Sequence, residues 1–186
     1  MLKKIVIFTS SELRHKAFRF FISNHQNIKV LKTYSEEGQV LKKNLEEEKS
    51  KNYEILINHL KEREDCEKDF FLDYINKKKD FSNNVSCKNG FISSVDCCNE
   101  IKKLNPDLII VYGSSIIKGN LLKLFKNKIL NVHLGLSPYY RGSGTNYFPF
   151  VLGEPEYAGA TFMFLDKGID TGEIIHQIRP RIFEDD

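Results

Sequence analysis

The sequence lacks the features of a membrane, secreted or strongly charged protein. No stretch approaches the roughly 20 consecutive apolar residues of a membrane-spanning helix. The apolar run after the two N-terminal lysines is too short for a signal peptide, and no small-residue cleavage site follows it. The net charge is only +3 and the lysines are scattered, which argues against a dedicated nucleic-acid binder. We therefore expect a cytoplasmic protein with no membrane partner and no nucleic-acid partner.

Cysteine is also scarce. The chain has four cysteines, none of which forms a C-x-x-C pair, and Cys97 and Cys98 are adjacent. Adjacent thiols are a poor arrangement for two ligands of one tetrahedral zinc ion. In a cytoplasmic protein such cysteines are expected to be free thiols. The sequence therefore predicts no bound metal.

The composition is that of one folded domain. The chain has 186 residues, of which 41% are hydrophobic and 28% are charged. This balance excludes the low hydrophobicity and high net charge of intrinsic disorder, and a chain of this length can bury a core. No internal repeat or low-complexity segment is present. We expect residues 1–186 to form a single domain.

Strand and helix signals alternate from the N-terminus. Residues 3–10 (KKIVIFTS) form a β-branched apolar run that predicts a strand. The next segment has apolar residues at helical intervals after Thr9-x-x-Glu12, the spacing of a capping box. Residues 28–35 predict a second strand. The segment 36–80 is dense in Lys and Glu and keeps a helical period over much of its length.

The C-terminal half continues the alternation after a polar connection over 79–94. The continuous apolar run at 107–113 (DLIIVYG) is typical of a strand covered on both faces, as in parallel sheets. Residues 128–134 predict the next strand. Further elements are predicted as short helices over 120–127 and 145–154 and as two strands within 158–182, joined by a turn at 166–172. The pattern predicts an α/β fold with a mostly parallel sheet.

Asn131 and His133 are the first candidates for chemistry. Side chains two positions apart on a strand share one face, and the carboxyl ends of strands in open α/β sheets border the ligand cleft. Asp170, in the turn between the last two strands, is the third candidate. The alternatives are an amide and an imidazole that satisfy backbone groups at the sheet edge, and an aspartate that serves only its turn.

The C-terminal third resembles the catalytic domain of the folate-dependent formyltransferases. The residues that carry the resemblance are, in order, Asn131-Val132-His133, Ser137-Pro138, Gly142, Gly159-Ala160-Thr161 and Asp170-Thr171-Gly172. The resemblance implies a Rossmann-like formyltransferase fold with a C-terminal antiparallel strand pair. It also implies that the domain is truncated at its C-terminus, because such domains close with a further helix.

The resemblance implies an enzyme that transfers a formyl group from 10-formyltetrahydrofolate to a primary amine. Asn131 and His133 would stabilise the oxyanion that forms when the amine attacks the formyl carbon. Asp170 would hold the protonation state of His133 or order a relaying water.

The resemblance also assigns two sets of binding residues. The cofactor-binding residues it implies are Tyr112, Gly113, Ser114, Ile116, Leu165, Asp166 and Gly168. The residues proposed for the acceptor are Ser10, Ser11 and Arg14 at the first strand–helix turn and Tyr139, Tyr140 and Arg141 on the loop after the catalytic strand. An ordinary helix cap and a packed loop are the alternatives for these two acceptor groups.

The acceptor predicted from the sequence is a small-molecule amine on a nucleotide-linked amino sugar. The turn Phe8–His15 lacks the glycine with which glycinamide ribonucleotide enzymes hold a phosphate, which argues against that acceptor. Methionyl-tRNA, glycinamide ribonucleotide, a formyltetrahydrofolate hydrolase and an inactive folate-binding module are the alternatives. A homodimer is left open.

Overall fold

A computed structural model describes residues 2–37 and 53–181, which form a seven-stranded sheet with helices. The strands are β1 Lys3–Ser10, β2 Ile28–Glu36, β3 Asn84–Cys87, β4 Leu108–Tyr112, β5 Ile129–Leu134, β6 Ala160–Phe164 and β7 Ile174–Ile178. The α-helices are α1 Leu13–Ser23, α2 Tyr53–Lys77, α3 Val95–Leu104, α4 Asn120–Leu124 and α5 Phe148–Val151. Two 3₁₀ turns span Phe91–Ser93 and Pro155–Tyr157.

The strand order is β3-β2-β1-β4-β5-β6-β7. The strands β3, β2, β1, β4 and β5 pair in parallel, whereas β6 is antiparallel to β5 and β7 is antiparallel to β6. The order reverses between β1 and β4, and such a switch point opens a crevice at the carboxyl ends of the strands. The predicted α/β fold with a C-terminal antiparallel pair is confirmed.

The core lies on both faces of the sheet, as the continuous apolar runs predict. Val6 and Phe8 of β1 belong to one buried cluster, with residues of α3 and α4. Ile5 and Ile7 belong to a second cluster, against which α1 packs through Phe18. Because successive side chains of a strand point to opposite faces, a strand buried on both sides needs apolar residues at every position.

Two predictions about local structure are wrong. Thr9 does not cap α1, because it is still in β1 and its hydroxyl donates to the carbonyl of Tyr112 at 2.8 Å. Glu12 is the N-cap residue instead, and its side chain makes no cap hydrogen bond. The connection predicted over 79–94 contains β3, a short strand that pairs with β2. Its first three residues are exposed, so it carries no alternation of apolar residues.

Other predicted elements are confirmed with different bounds. The helix predicted over 145–154 is the single turn α5, with Pro149 in its first turn, where a missing N–H is tolerated. The helical period of the Lys- and Glu-rich segment becomes α2, and residues 38–52 of that segment lie outside the described residues. Within the described ranges, no helix has the length and apolar character needed to span a membrane.

Candidate active site

A cleft of about 1660 Å³ opens at the carboxyl ends of β1, β4 and β5. Asn131, His133 and Asp170 line one part of it, and residues of α1 and α2 line another. Pockets for one small ligand are typically about 300–1000 Å³. A cleft of this size can therefore hold two substrates together.

Asn131, His133 and Asp170 (the triad) meet in this cleft. The amide of Asn131 donates to Oδ1 of Asp170 at 3.0 Å. Nδ1 of His133 lies 3.3 Å from Oδ2 of Asp170. The two strand residues share a face of β5, as their spacing predicts. The carboxylate of the β6–β7 turn therefore contacts both of them.

Both ring nitrogens of His133 face oxygen atoms. Nε2 lies 2.9 Å from the carbonyl oxygen of Tyr140, opposite the side that faces Asp170. The ring is buried, with 6% of the residue exposed. In this arrangement His133 holds Asp170 and the loop after β5 in place.

Two groups of the loop after β5 hold Asp170, one at its carboxylate and one at its main-chain carbonyl. The N–H of Gly142 donates to Oδ2 of Asp170 at 2.9 Å, and the hydroxyl of Ser137 donates to its main-chain carbonyl at 3.4 Å. Asp170 has a φ of 51°, in the left-handed region that Asp tolerates better than most residues. Ser137 thus supports the turn that carries Asp170.

The residues expected to bind the cofactor lie on the same cleft. All seven of them line it, namely Tyr112, Gly113, Ser114, Ile116, Leu165, Asp166 and Gly168. Asp166 has a clear local role as well, since its carboxylate accepts from the N–H of Gly168 and the hydroxyl of Thr171. Burial raises the pKa of Tyr112, so its hydroxyl stays protonated. That these seven residues bind the cofactor stays a prediction.

The residues expected to bind the acceptor separate into two groups. Ser10 and Arg14 line the cleft, and Ser11 is not among the described residues that line it. Tyr139, Tyr140 and Arg141 are likewise not among those residues. The rings of Tyr139 and Tyr140 pack against Tyr157, with centroids 4.5 Å and 6.0 Å away. Their substrate role stays a prediction, and Tyr140 reaches the site through its carbonyl group.

The start of α1 is already paired with a carboxylate from α2. The N–H of Arg14 donates to Oε2 of Glu67 at 3.3 Å, and the Arg14 guanidinium pairs with Oε1 of the same group. Glu67 is one of the α2 residues that line the cleft. The predicted anion site is therefore filled by an anion of the chain itself.

Two buried residues of the cleft were missed by sequence reasoning. His15 is buried beneath the β4 end, and its Nδ1 lies 2.7 Å from Oε2 of Glu12. This hydrogen bond lowers the pKa of Glu12 from its usual 4.5 to about 2. Glu36, at the end of β2, is 2% exposed and contacts loops that are distant in sequence. The sequence around His15 and around Glu36 is that of an ordinary exposed charged residue, so neither residue could be singled out from the sequence alone.

The described part of the chain contains no group of three or more His, Cys, Asp or Glu side chains that could hold a metal ion. The four cysteines are free: Cys66 is exposed, whereas Cys97 and Cys98 are buried. Burial raises the pKa of the Cys97 thiol to about 12. This thiol therefore stays protonated and unreactive at neutral pH.

The sequence model of the family described as Formyl transferase matches residues 3–186. The methionyl-tRNA formyltransferase of Finegoldia magna is 43% identical over 77 residues, which cover 40% of this chain and 24% of that protein. The methionyl-tRNA formyltransferase of Pelotomaculum thermopropionicum is 40% identical over 97 residues, which cover 51% of this chain and 30% of that protein. The chain thus spans less than a third of the length of these relatives.

A solved structure is similar over the whole chain. The phosphoribosylglycinamide formyltransferase of Streptococcus pneumoniae TIGR4 has a TM-score of 0.60 and 17% identity, and the match covers 100% of this chain and 86% of that chain. At this level of identity the likeness describes the fold.

Proposed function

Because the chain belongs to the formyl transferase family, we propose that it transfers a formyl group from 10-formyltetrahydrofolate to a primary amine. The observation that carries the proposal is the triad. The Asn131 amide and the His133 imidazole lie 3.0 Å and 3.3 Å from the Asp170 carboxylate, in a cleft large enough for two substrates.

The triad suits each requirement of the transfer. The amine attacks the formyl carbon, a C–N bond forms, and the bond from that carbon to the folate nitrogen breaks. The amide of Asn131 has a second N–H that can donate to the carbonyl oxygen as it becomes negative. Asp170 accepts the proton that the amine loses, directly or through a water, and returns a proton to the folate nitrogen. His133 fixes the position of Asp170.

The cofactor side of the cleft suits a flat heterocycle. Gly113 has a φ of 66°, so the chain turns sharply after β4 and presents main-chain groups to the cleft. Leu165 lies across from it, on the turn that also carries Asp170. The backbone around Ser114 and Ile116 would pair with the edge of the pterin, and the formyl group would then extend toward the triad.

For the acceptor we propose the amine of a nucleotide-linked amino sugar. Arg63 and Lys68 of α2 line the cleft. Both pair with carboxylates of the same helix, but their side chains are about half exposed, at 46% and 44%, so a diphosphate would replace those partners more readily than it would replace Glu67 at Arg14. Glu67 argues against an acceptor phosphate at the start of α1, because its carboxylate holds Arg14 there. Methionyl-tRNA is the second candidate, since relatives with 40–43% identity over parts of the chain carry that name.

The test is a panel assay of the purified chain with 10-formyltetrahydrofolate. The acceptors are a nucleotide-linked amino sugar, methionyl-tRNA, glycinamide ribonucleotide and no amine, and the readouts are formylated product, tetrahydrofolate and free formate. We expect an N-formylated product with one amine. Formate release without an amine would instead identify a hydrolase, and folate binding without turnover would identify an inactive module.

The variant Asn131→Ala tests the carrying observation. We expect kcat to fall by about 10²–10³, the usual loss for one oxyanion donor, with an unchanged unfolding temperature. A kcat within about threefold of the original chain would remove Asn131 from the mechanism.

A further inference from the structure

The wall of the cleft after β4 is a loop that covers residues 113–118 (the 113–118 loop). Ser114, Ser115, Ile116 and Ile117 line the cleft. The loop follows Gly113 with its positive φ and contains no helix or strand before α4. Its conformation must therefore be fixed by contacts from outside the loop.

The carboxylate of Glu36 supplies two of these contacts and makes a third hydrogen bond to the turn at 90–93. Its Oε2 accepts from the N–H of Ser115 at 2.6 Å, and its Oε1 accepts from the hydroxyl of Ser115 at 2.9 Å. The same Oε1 accepts from the N–H of Gly90 at 2.6 Å. A buried carboxylate is costly unless it is hydrogen-bonded, and bonds to a charged acceptor are about twice as strong as neutral ones. Glu36 thus joins the end of β2 to two loops.

A second side chain holds the rest of the loop. The hydroxyl of Ser93 donates to the carbonyl of Ile116 at 3.2 Å and accepts from the N–H of Lys118 at 3.0 Å. Ser93 belongs to the 3₁₀ turn whose N-cap residue is Gly90, the other partner of Glu36. The turn at 90–93 and the 113–118 loop are therefore held as one unit, and Glu36 is the charged group between them.

We propose that Glu36 is a positioning residue that sets the folate-binding conformation of the 113–118 loop. The proposal rests on the proposed function, because it assigns this loop to the folate. Glu36 acts through Ser115 and does not take part in proton transfer, since both of its oxygens are engaged by loop groups. Its loss should weaken folate binding and leave acceptor binding and the triad unchanged.

The test compares three variants of the whole chain. Glu36→Gln removes the charge and places an amide against the N–H donors. Ser115→Ala removes only one of the three hydrogen bonds. Asp96→Asn removes a carboxylate charge close to the same 3₁₀ turn, at an exposed position that is not among the described residues lining the cleft, and serves as the control. The measurements are KM for 10-formyltetrahydrofolate, KM for the acceptor, kcat, unfolding temperature and amide hydrogen exchange of residues 113–118 without ligand.

For Glu36→Gln we expect the folate KM to rise about tenfold, the effect of losing about 1.4 kcal/mol, while the acceptor KM stays within twofold. Exchange in the 113–118 loop should accelerate in the same variant. Ser115→Ala should raise the folate KM and the exchange rate by less, and Asp96→Asn should change neither quantity.

Two results would overturn the proposal. One is a folate KM within twofold in both Glu36→Gln and Ser115→Ala. The other is a rise of both KM values together with a fall in unfolding temperature, since that pattern belongs to a general structural role. If the original chain transfers no formyl group, the proposed function fails. The loop exchange and binding of 5-formyltetrahydrofolate by Glu36→Gln then decide the positioning role separately.

Discussion

Two sides of the cleft differ in the contacts that stabilise them. The strand side carries the triad, and the helix side carries Arg14 and Glu67. On the strand side, Asp170 accepts from the N–H of Gly142, and His133 faces the carbonyl of Tyr140. On the helix side, Glu67 of α2 accepts from the N–H of Arg14 and pairs with the side chains of Arg14 and Arg63, so most of its contacts are ion pairs. Hydrogen bonds to the backbone fix one geometry, whereas long charged side chains can exchange partners. We therefore expect the strand side to be rigid and the charged groups of the helix side to rearrange more readily.

The strongest test of this contrast is Asp170→Asn on the strand side. Asn tolerates the left-handed φ of 51°, but it cannot accept the proton of the amine. We expect kcat to fall by about 10²–10⁴, measured as N-formylated product per unit time.

Glu173→Gln is the control for this variant, because it removes an exposed carboxylate three residues away. It should keep kcat within about twofold. An Asp170→Asn chain that is as active as the control would show that the strand side does not hold the reaction centre.

The second test, Gly113→Ala, concerns the point where α1 meets the end of β4. A Cβ at Gly113 would lie 2.1 Å from Nε2 of His15, which is buried and paired with Glu12. We expect a loss of about 1–3 kcal/mol in the free energy of unfolding, the usual range for overpacking, measured by urea denaturation.

Gly90→Ala is the control for a positive φ. Gly90 has a φ of +83°, in the left-handed region, and nothing lies within 4 Å of its added Cβ. A larger loss in Gly113→Ala than in Gly90→Ala would be the cost of the contact with His15. Equal losses would mean that His15 moves aside, and that α1 adapts at this point too.

Glu67→Gln tests whether the helix side depends on ion pairs. The Arg14 and Glu67 side chains are 24% and 14% exposed, so the pair is partly screened by solvent. We expect a loss of about 1 kcal/mol or less in the free energy of unfolding. Salt screens such pairs. The stability difference between Glu67→Gln and the original chain should therefore shrink when NaCl is raised from about 0.05 M to about 0.5 M, a change that shortens the Debye length severalfold. Glu62→Gln, on the same helix, is the control, and an equal loss there would assign the effect to α2 charge in general.

The smallest expected effect is the acid sensitivity of the α1 start. The pKa of Glu12 falls from 4.5 to about 2 on folding, because it accepts a hydrogen bond from His15. The unfolded chain therefore binds the proton first as the pH falls, so the contribution of Glu12 is complete above about 4.5 and is lost toward pH 2. Between about pH 4.5 and pH 2, the unfolding temperature of Glu12→Gln should fall less steeply with decreasing pH than that of the original chain. Parallel curves would contradict the assignment.

The sequence predicted the parts of the fold that carry a periodic apolar signal. The strands β1, β2, β4 and β5 are confirmed, because each carries enough apolar residues to give a strand signal. The family membership is confirmed by the family model that matches residues 3–186. The meeting of the triad follows from the two-residue spacing on β5 and from the turn after β6.

The missed features depend on partners that are distant in the chain. In the sequence, Glu36 comes directly after the strand predicted over 28–35 and begins a charged segment, so the local pattern predicts a solvent-exposed residue. Its partners lie 54 and 79 residues away, at Gly90 and Ser115. The pairing of Glu67 with Arg14 spans 53 residues. Such contacts arise only when the packing of helices and loops is known.

The position of the triad along the chain has a consequence for how the molecule assembles. Asp170 lies 39 residues after Asn131. Asn131 is in β5 and Asp170 follows β6, and these two antiparallel strands are consecutive in sequence and paired in the sheet. The pairing of β1 with β4, by contrast, brings together Thr9 and Tyr112, which are 103 residues apart. Contacts that are close in sequence form sooner, because they close shorter loops. We expect the segment from β5 to β7 to become ordered as a unit, with its three polar groups already gathered before the N-terminal half docks against it.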